Sequence, residues 1–240
     1  MRYFVTLITA ICIVGFSPVT IGETLRIVTM ALAPAGYKEN GKAKGVAYEI
    51  ANEIAKRANM PYINTLKPYG RAVHELKSGK ADLSIMLYNT SLDGKAIPLI
   101  PVFLMSTIAI GKKGINVKGL TELSGKKVGV IRSSNFLDSD LVKDMSLVSI
   151  KDYKQAVRML NAGRIHAFIG VDLGVYFHIK NLGLERKDFG QPYVVNSQKN
   201  LLYISAKFTD QKAINNLKKA TEKMTTDGTI GSIVEKYLGK

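Results

Sequence analysis

The chain has 240 residues, 46% of them hydrophobic, and its 34 Lys and Arg against 19 Asp and Glu give a formal net charge of +15. This apolar content is enough for a packed core in one large domain or two modest ones. The lysines occur singly and in pairs rather than in long runs, which argues against the basic footprint of a nucleic-acid-binding protein. The charge instead favours an anionic ligand or an anionic envelope surface.

The first 22 residues are typical of a secretory signal peptide. A basic start is followed by an apolar run at 4–16, and the small residues Thr20 and Gly22 stand at the −3 and −1 positions of a cleavage site. A run of about 13 residues is too short to span a bilayer. We therefore predict cleavage after Gly22, a periplasmic location and no membrane span afterwards. Cys12 is the only cysteine and leaves with this segment, so the mature chain can form no disulfide.

The elements predicted next are a strand and a helix. Residues 24–30 alternate in polarity, as a strand with one buried face does. Residues 45–60 place Val46, Ile50 and Ile54 on one helix face.

Residues 68–95 organise the rest of the chain. Ala72, Val73 and Leu76 share one face of a predicted helix, and Gly79 is placed to end it. A strand follows, and its residues on one side are Leu83, Ile85 and Leu87. This strand brings residues 88–90 to the carboxyl edge of a sheet, where open α/β sheets bind their ligands.

The second half of the chain continues the alternation of strands and helices. The predicted strands lie at 107–110, 126–131, 166–172 and 201–205. Predicted helices begin near residue 137, at 152 and at 173, and two more close the chain.

No motif of a hydrolase, a metalloprotease or a nucleotide-binding loop occurs in the sequence. The three histidines, His74, His166 and His178, are far apart and lack metal-ligand spacing. We expect no metal, no cofactor and no catalytic residues.

The stretch 68–95 resembles the ligand-side core of family 3 bacterial extracellular solute-binding proteins, the periplasmic amino-acid receptors of ABC importers. The family pattern is a Pro, an aromatic, Arg-Ala, then spaced Leu, Gly and Asp, followed by a hydroxyl residue and an Arg. The matching residues here are Pro68, Tyr69, Arg71, Ala72, Leu76, Gly79, Asp82 and Thr90, with Lys95 in place of the last Arg. The likeness covers essentially the whole mature chain, including the C-terminal segment 223–239.

The resemblance implies a fold of the α/β class, the two-lobed type II periplasmic-binding-protein fold. The ligand cleft then lies between the lobes, and two crossing strands form the hinge. We expect lobe 1 at 23–107 plus 201–240, lobe 2 at 108–200, and a monomer.

The resemblance also implies a set of ligand-binding residues in the first lobe. Tyr37 stands near the family's ligand-stacking aromatic, although a surface turn is an equal alternative. Tyr69, Arg71, Tyr88 and Thr90 follow from the organising stretch. Lys95 stands where the family has the Arg that forks onto the amino-acid carboxylate, and it supplies only a point charge.

The second lobe supplies the remaining candidates. Ser134 and Asn135 correspond to a donor loop at a helix N-terminus, with Arg132 at its mouth, and helix capping is the alternative for the two polar residues. Asp172 stands one position beyond the family's amino-group ligand, where Val171 falls, and it could instead cap the following helix. Both ends of the amino-acid clamp are therefore altered.

The function implied by the resemblance is capture of a small polar solute, an amino acid or another carboxylate, and its delivery to an ABC permease. One alternative is a stand-alone sensor for a membrane signalling protein. Another is an enzyme similar to the cyclohexadienyl and arogenate dehydratases that share this fold.

Overall fold

The computed structural model describes residues 24–132 and 140–238. The predicted signal peptide and the candidate residues Ser134 and Asn135 lie outside these ranges.

One eight-stranded sheet runs through the described part of the chain in the order β4-β1-β5-β10-β6-β9-β7-β8. Its strands are β1 (Leu25–Met30), β4 (Tyr62–Lys67), β5 (Leu83–Leu87), β6 (Ala96–Gly111), β7 (Lys127–Ile131), β8 (Ser146–Ile150), β9 (Ala167–Val171) and β10 (Tyr193–Ser205), and β2 (Tyr37–Glu39) with β3 (Lys42–Lys44) forms a separate hairpin. The long antiparallel pair β6 and β10 lies at the centre. The parallel strands β4, β1 and β5 flank it on one side, and β9, β7 and β8 flank it on the other.

Within the described residues, six α-helices cover the two halves of this sheet. They are α1 (Val46–Arg57), α2 (Tyr69–Ser78), α3 (Tyr153–Asn161), α4 (Asp172–Asn181), α5 (Gln211–Thr226) and α6 (Thr229–Leu238). The apolar stripe of α1 packs with α5 and α6 against β1 and β5 in the first half. In the second half, α3 and α4 pack against β6 and β9. The two-lobed α/β class predicted from the resemblance is confirmed, with two long strands shared by both halves.

The organising stretch folds as predicted. Ala72 and Leu76 of α2 are completely buried, and the helix ends at Gly79 in the left-handed conformation, with φ of 71°. Asp82 is buried and accepts three hydrogen bonds from Arg26, from its backbone N–H and from two guanidinium nitrogens. These contacts join the turn before β5 to strand β1.

The helix predicted near residue 137 is not found in the described part of that segment. From Asp140 the chain makes a single 3-10 turn, and residues 146–150 then form β8. The β-branched Val148 and Ile150 pair in parallel with β7, and Ile150 is fully buried, so sheet pairing outweighs helix formation here. The predicted crossing strand at 107–110 is the end of a much longer strand, β6.

Candidate functional site

A cavity of about 310 Å³ lies between the two halves of the molecule. It opens where the carboxyl ends of β1 and β5 face the carboxyl end of β9, and these ends contribute Met30, Leu87 and Val171. The crossing strands supply its floor through Phe103 and Met105 of β6 and a residue of β10. Carboxyl edges of this kind are where α/β sheets bind ligands, and the cavity volume is at the lower end of small-molecule sites.

The lining of the cavity is almost entirely apolar. Among the described residues, none of the side chains that line it carries a charge. The lining residues are Met30, Leu32, Ala33, Pro34, Ala35, Ala47, Tyr69, Ile85, Leu87, Phe103, Met105, Tyr153, Val171, Leu173, Gly174 and Asn200. Three of them have polar side-chain groups, and these are Tyr69, Tyr153 and Asn200.

Asn200 is a lining residue whose side-chain amide donor has no acceptor among the described residues. The residue is 4% exposed, and its Nδ2 has no hydrogen-bond partner among the described residues. It lies on β10 at the point where that strand pairs with both β5 and β6. A buried donor without a partner costs free energy, so a ligand that accepts from it gains an interaction that the unliganded protein lacks.

Tyr153 forms a fixed wall of the cavity. Its hydroxyl accepts a hydrogen bond from the Val171 N–H at 3.1 Å, and burial raises the pKa of that hydroxyl. Its ring packs edge-on against Phe168 and is stacked on His178. A Cβ at Gly174 would come within 2.8 Å of this ring, so the glycine is needed for the close approach of α4.

Tyr69 is the predicted site residue that the structure places in the cavity lining. It begins α2 and is 51% exposed, so its ring covers the mouth of the cavity. Its hydroxyl accepts a hydrogen bond from Asn89 Nδ2 at 2.8 Å. This bond ties the start of α2 to the loop that follows β5.

Tyr88 and Thr90 lie in that loop, outside the cavity lining. Tyr88 is exposed, and its hydroxyl donates to the Asp93 carboxylate at 3.0 Å, a bond that raises its pKa. Thr90 begins a 3-10 turn capped by Asn89, whose Oδ1 accepts from the Ser91 N–H.

The predicted cations also stand outside the cavity lining. The Arg71 side chain is 64% exposed, and its Nε donates to Glu75 Oε1 at 3.0 Å, one turn along α2. Lys95 is exposed at the end of the loop after β5, and Arg132 is exposed at the end of β7. We call Arg71 and Arg132 the predicted rim, because Arg71 lies two residues after the lining residue Tyr69 and Arg132 follows β7, the strand beside β9. Lys95 lies elsewhere, because its carbonyl accepts from the Ala206 N–H beside the Ala96–Ser205 pair, at the amino end of β5.

Asp172 and Val171 are the two residues at or next to the position of the family's amino-group ligand. Asp172 is the first residue of α4, and its carboxylate accepts from the Leu173 N–H at 2.6 Å. Burial raises the pKa of this carboxyl, and the N–H groups of Leu173 and Ser106 partly oppose that effect. Val171 lines the cavity instead. Asp172 thus lies in the first turn of α4, after the N-cap residue Val171, and its contact with a ligand stays a prediction.

Tyr37 lies outside the cavity lining as well. Its ring packs edge-on against Phe177 of α4, with the centroids 5.2 Å apart, and against Tyr237 of α6. The Tyr237 hydroxyl bonds to Glu49 of α1. Tyr37 thus belongs to an aromatic cluster that joins α4 to the helices of the first half.

Sequence reasoning missed the residues that make up most of the cavity. Phe103, Met105 and Tyr153 gave no local signal, because each reads as an ordinary core residue of its strand or helix. Asn200 gave a weak signal, as a single amide immediately before the apolar run of β10.

Comparison with known proteins agrees with this geometry. Residues 25–240 match the bacterial extracellular solute-binding proteins, family 3. The chain belongs to this family. It is also similar to the probable amino-acid-binding protein YxeM of Bacillus subtilis, with 25% identity over 218 residues, which cover 86% of this chain and 80% of YxeM.

Two solved structures share the fold of this family 3 protein. An ancestral cationic amino acid solute-binding protein superimposes with a TM-score of 0.75 and 18% identity, covering 90% of this chain and 95% of that one. The L-cystine solute receptor of Neisseria gonorrhoeae, in an unliganded open conformation, gives 0.73 and 16%, covering 92% and 95%.

Membership of the family establishes several general properties. The protein is a solute-binding protein with a small-molecule ligand rather than an enzyme, and its place is periplasmic or extracellular. No helix within 24–132 or 140–238 is long and apolar enough to cross a membrane. In the same ranges, no group of three or more His, Cys, Asp or Glu residues is arranged to hold a metal ion.

Proposed function

We propose that this protein is the periplasmic receptor of an ABC importer and captures one small solute between two lobes. The lobes are residues 23–107 plus 201–240 and residues 108–200, and β6 and β10 act as the hinge. The solute shifts the protein toward a closed state because it contacts both lobes only in that state. The receptor works as a monomer and delivers the solute to the permease.

The observation that carries this proposal is the composition of the cavity wall. Met30, Ile85 and Tyr69 come from the first half, Tyr153 and Leu173 come from the second, and the shared strands close the floor. A ligand in this position touches elements on both sides of the two central strands. Contacts of this kind make closure depend on the ligand.

We propose a carboxylate-bearing solute, with amino acids as the first class to test. A relative at 25% identity is named as a probable amino-acid-binding protein. Arg71 and Arg132 of the predicted rim attract an anionic group toward the mouth of the cavity. In the closed state Ser134 and Asn135 add donors there, and Tyr88 and Thr90 add hydroxyls.

A thermal-shift screen tests ligand capture. The panel contains amino acids, acylated amino acids, other carboxylates, sugars and sugar phosphates. A solute at about 100 times its dissociation constant adds about 2.7 kcal/mol of stability, which corresponds to roughly 5–10 °C for a chain of this size. Failure of the whole panel to shift the unfolding temperature would count against capture of a solute of these classes.

Uptake measurements test delivery. Cells that lack the protein should lose accumulation of the solute identified in the screen, and the restored gene should return it. Unchanged uptake together with a changed transcriptional response to the solute would replace transport by sensing.

A further inference from the structure

We infer that the cavity takes the apolar body of an acylated or otherwise carbonyl-bearing solute, and that Asn200 Nδ2 donates a hydrogen bond to an uncharged oxygen of that body. The inference rests on the proposed function and names the chemical class of the solute. The charged end of such a solute stays outside, at the predicted rim.

The walls decide which part of a solute can enter. Aliphatic side chains face the cavity from β1, β5, β9 and α4, and Phe103 and Met105 cover its floor. A charged group placed among them would lose its hydration without finding an opposite charge. An ammonium or carboxylate group is therefore excluded from the interior, whereas a branched aliphatic or aromatic group gains by burial.

Among the described residues, the charged side chains near the cavity either have protein partners or lie outside the cavity lining. The Asp172 carboxylate accepts from the Leu173 N–H, and Arg71 is paired with Glu75. Val171 occupies the wall where an acidic residue could have met an ammonium group. Recognition of a free amino acid by both of its charged ends has no counterpart among the described lining residues.

Asn200 supplies an amide donor to this interior. The two tyrosine hydroxyls of the lining accept hydrogen bonds, from Asn89 and from the Val171 N–H, and each keeps an O–H that can donate. The Asn200 Nδ2 is buried and has no partner among the described residues. A single neutral donor can offset the burial of a carbonyl oxygen, whereas it cannot offset the loss of hydration of an ionised carboxylate.

The volume sets the size of the solute. At about 30 Å³ for each water-sized group, 310 Å³ holds roughly ten non-hydrogen atoms. N-acetyl-L-leucine has about this size and combines an apolar side chain, a neutral carbonyl and one carboxylate, so it is a suitable probe.

The first experiment compares matched probes on the protein expressed from its full sequence and purified. N-acetyl-L-leucine should bind at least tenfold more tightly than N-acetyl-L-glutamate, whose side chain is charged, or 4-methylpentanoate, which lacks the neutral carbonyl. It should also bind more tightly than free L-leucine, which adds an ammonium group. Equal or tighter binding of glutamate, arginine or their acetylated forms would overturn the inference while leaving solute capture in place.

The second experiment removes the donor with Asn200→Leu. Affinity for N-acetyl-L-leucine should fall about tenfold, because the carbonyl then has no partner. The same substitution should raise the unfolding temperature of the unliganded protein, because a buried unpaired donor is gone. The matched control is Asn196→Leu on the exposed part of β10, which should leave binding unchanged.

The stability measurement keeps the inference testable without a ligand. A lower unfolding temperature for Asn200→Leu in the unliganded protein would show that Asn200 makes a structural hydrogen bond, and the inference would then be wrong. Failure of every probe and of the wider panel would instead reject the proposed function from which the inference starts.

Discussion

The cavity and the predicted rim lie side by side and carry opposite kinds of side chain. The cavity is lined by aliphatic and aromatic groups from both halves, with one buried amide donor. The rim consists of Arg71 and Arg132, which are exposed, and Arg71 is held by Glu75. Burial therefore drives binding inside the cavity, and screened charge attraction acts outside it.

The position of the binding site and its specificity for a solute therefore depend on different features of the molecule. The position of the cavity follows from strand order and direction, because β1 and β5 end opposite the end of β9 across the central pair β6 and β10. The chemistry of the cavity depends on single side chains at the ends of those strands, and each can change without changing the fold. Mutations in the cavity should accordingly affect binding strongly, and mutations at the rim should affect it weakly.

Val171→Asp should have the largest effect, because it puts a carboxylate into the apolar wall. We expect affinity for N-acetyl-L-leucine to fall by about 100-fold or more, which is about 2.7 kcal/mol, measured by calorimetry. Affinity for free L-leucine should fall less, because its ammonium group can pair with the new carboxylate. The ratio of the two affinities is the informative quantity.

Val171→Thr is the matched control for this prediction. It replaces a methyl group by an uncharged hydroxyl of similar size and should weaken binding only a few-fold. The unfolding temperature should change little in Val171→Asp, because position 171 is the N-cap of α4, where Asp is favourable. An unaltered affinity for N-acetyl-L-leucine in the Asp variant would mean that Val171 does not face the bound solute.

Tyr69→Ala should have an intermediate effect. The ring covers the mouth of the cavity, so its removal should weaken binding of apolar probes about tenfold, or about 1.4 kcal/mol. Tyr69→Phe keeps the ring and loses only the bond from Asn89, so it should stay within about threefold of the natural protein. Equal losses in the two variants would assign the contribution of Tyr69 to the hydroxyl and the loop it holds.

The stretch 68–95 shows how much of the fold could be predicted from the sequence. Ala72, Leu76 and Gly79 were placed correctly because helix periodicity and a left-handed C-terminal glycine are local signals. The resemblance added the two-lobed arrangement, which no local pattern contains. The helix predicted near residue 137 was wrong within the described residues because a short apolar run cannot distinguish a helix from a strand that pairs at a sheet edge.

The cavity was harder to predict because its residues are far apart in the sequence. Phe103, Tyr153 and Asn200 come together only through the crossing strands and the packing of α3 against α4. For Val171 and Asp172, the register at the end of β9 decided which of the two residues faces the cavity. Adjacent residues at a strand end point in opposite directions, so Val171 faces the cavity while Asp172 turns to the start of α4.

Arg71→Ala should have the smallest effect, and its dependence on salt makes it a test of the rim. We expect N-acetyl-L-leucine to bind about two- to threefold more weakly at low salt, with most of the difference lost at 0.5 M salt, because an exposed charge is screened. The uncharged N-acetyl-L-leucine amide should bind equally to both proteins. Lys212→Ala, the same loss of charge at the exposed start of α5, is the control for the overall field of the protein.

A loss of 30-fold or more in Arg71→Ala that persists at high salt would show that Arg71 turns into the cavity and pairs there with the solute carboxylate. The contrast between an apolar interior and a weakly acting rim would then be wrong, and the site would be closer to the carboxylate clamp implied by the resemblance.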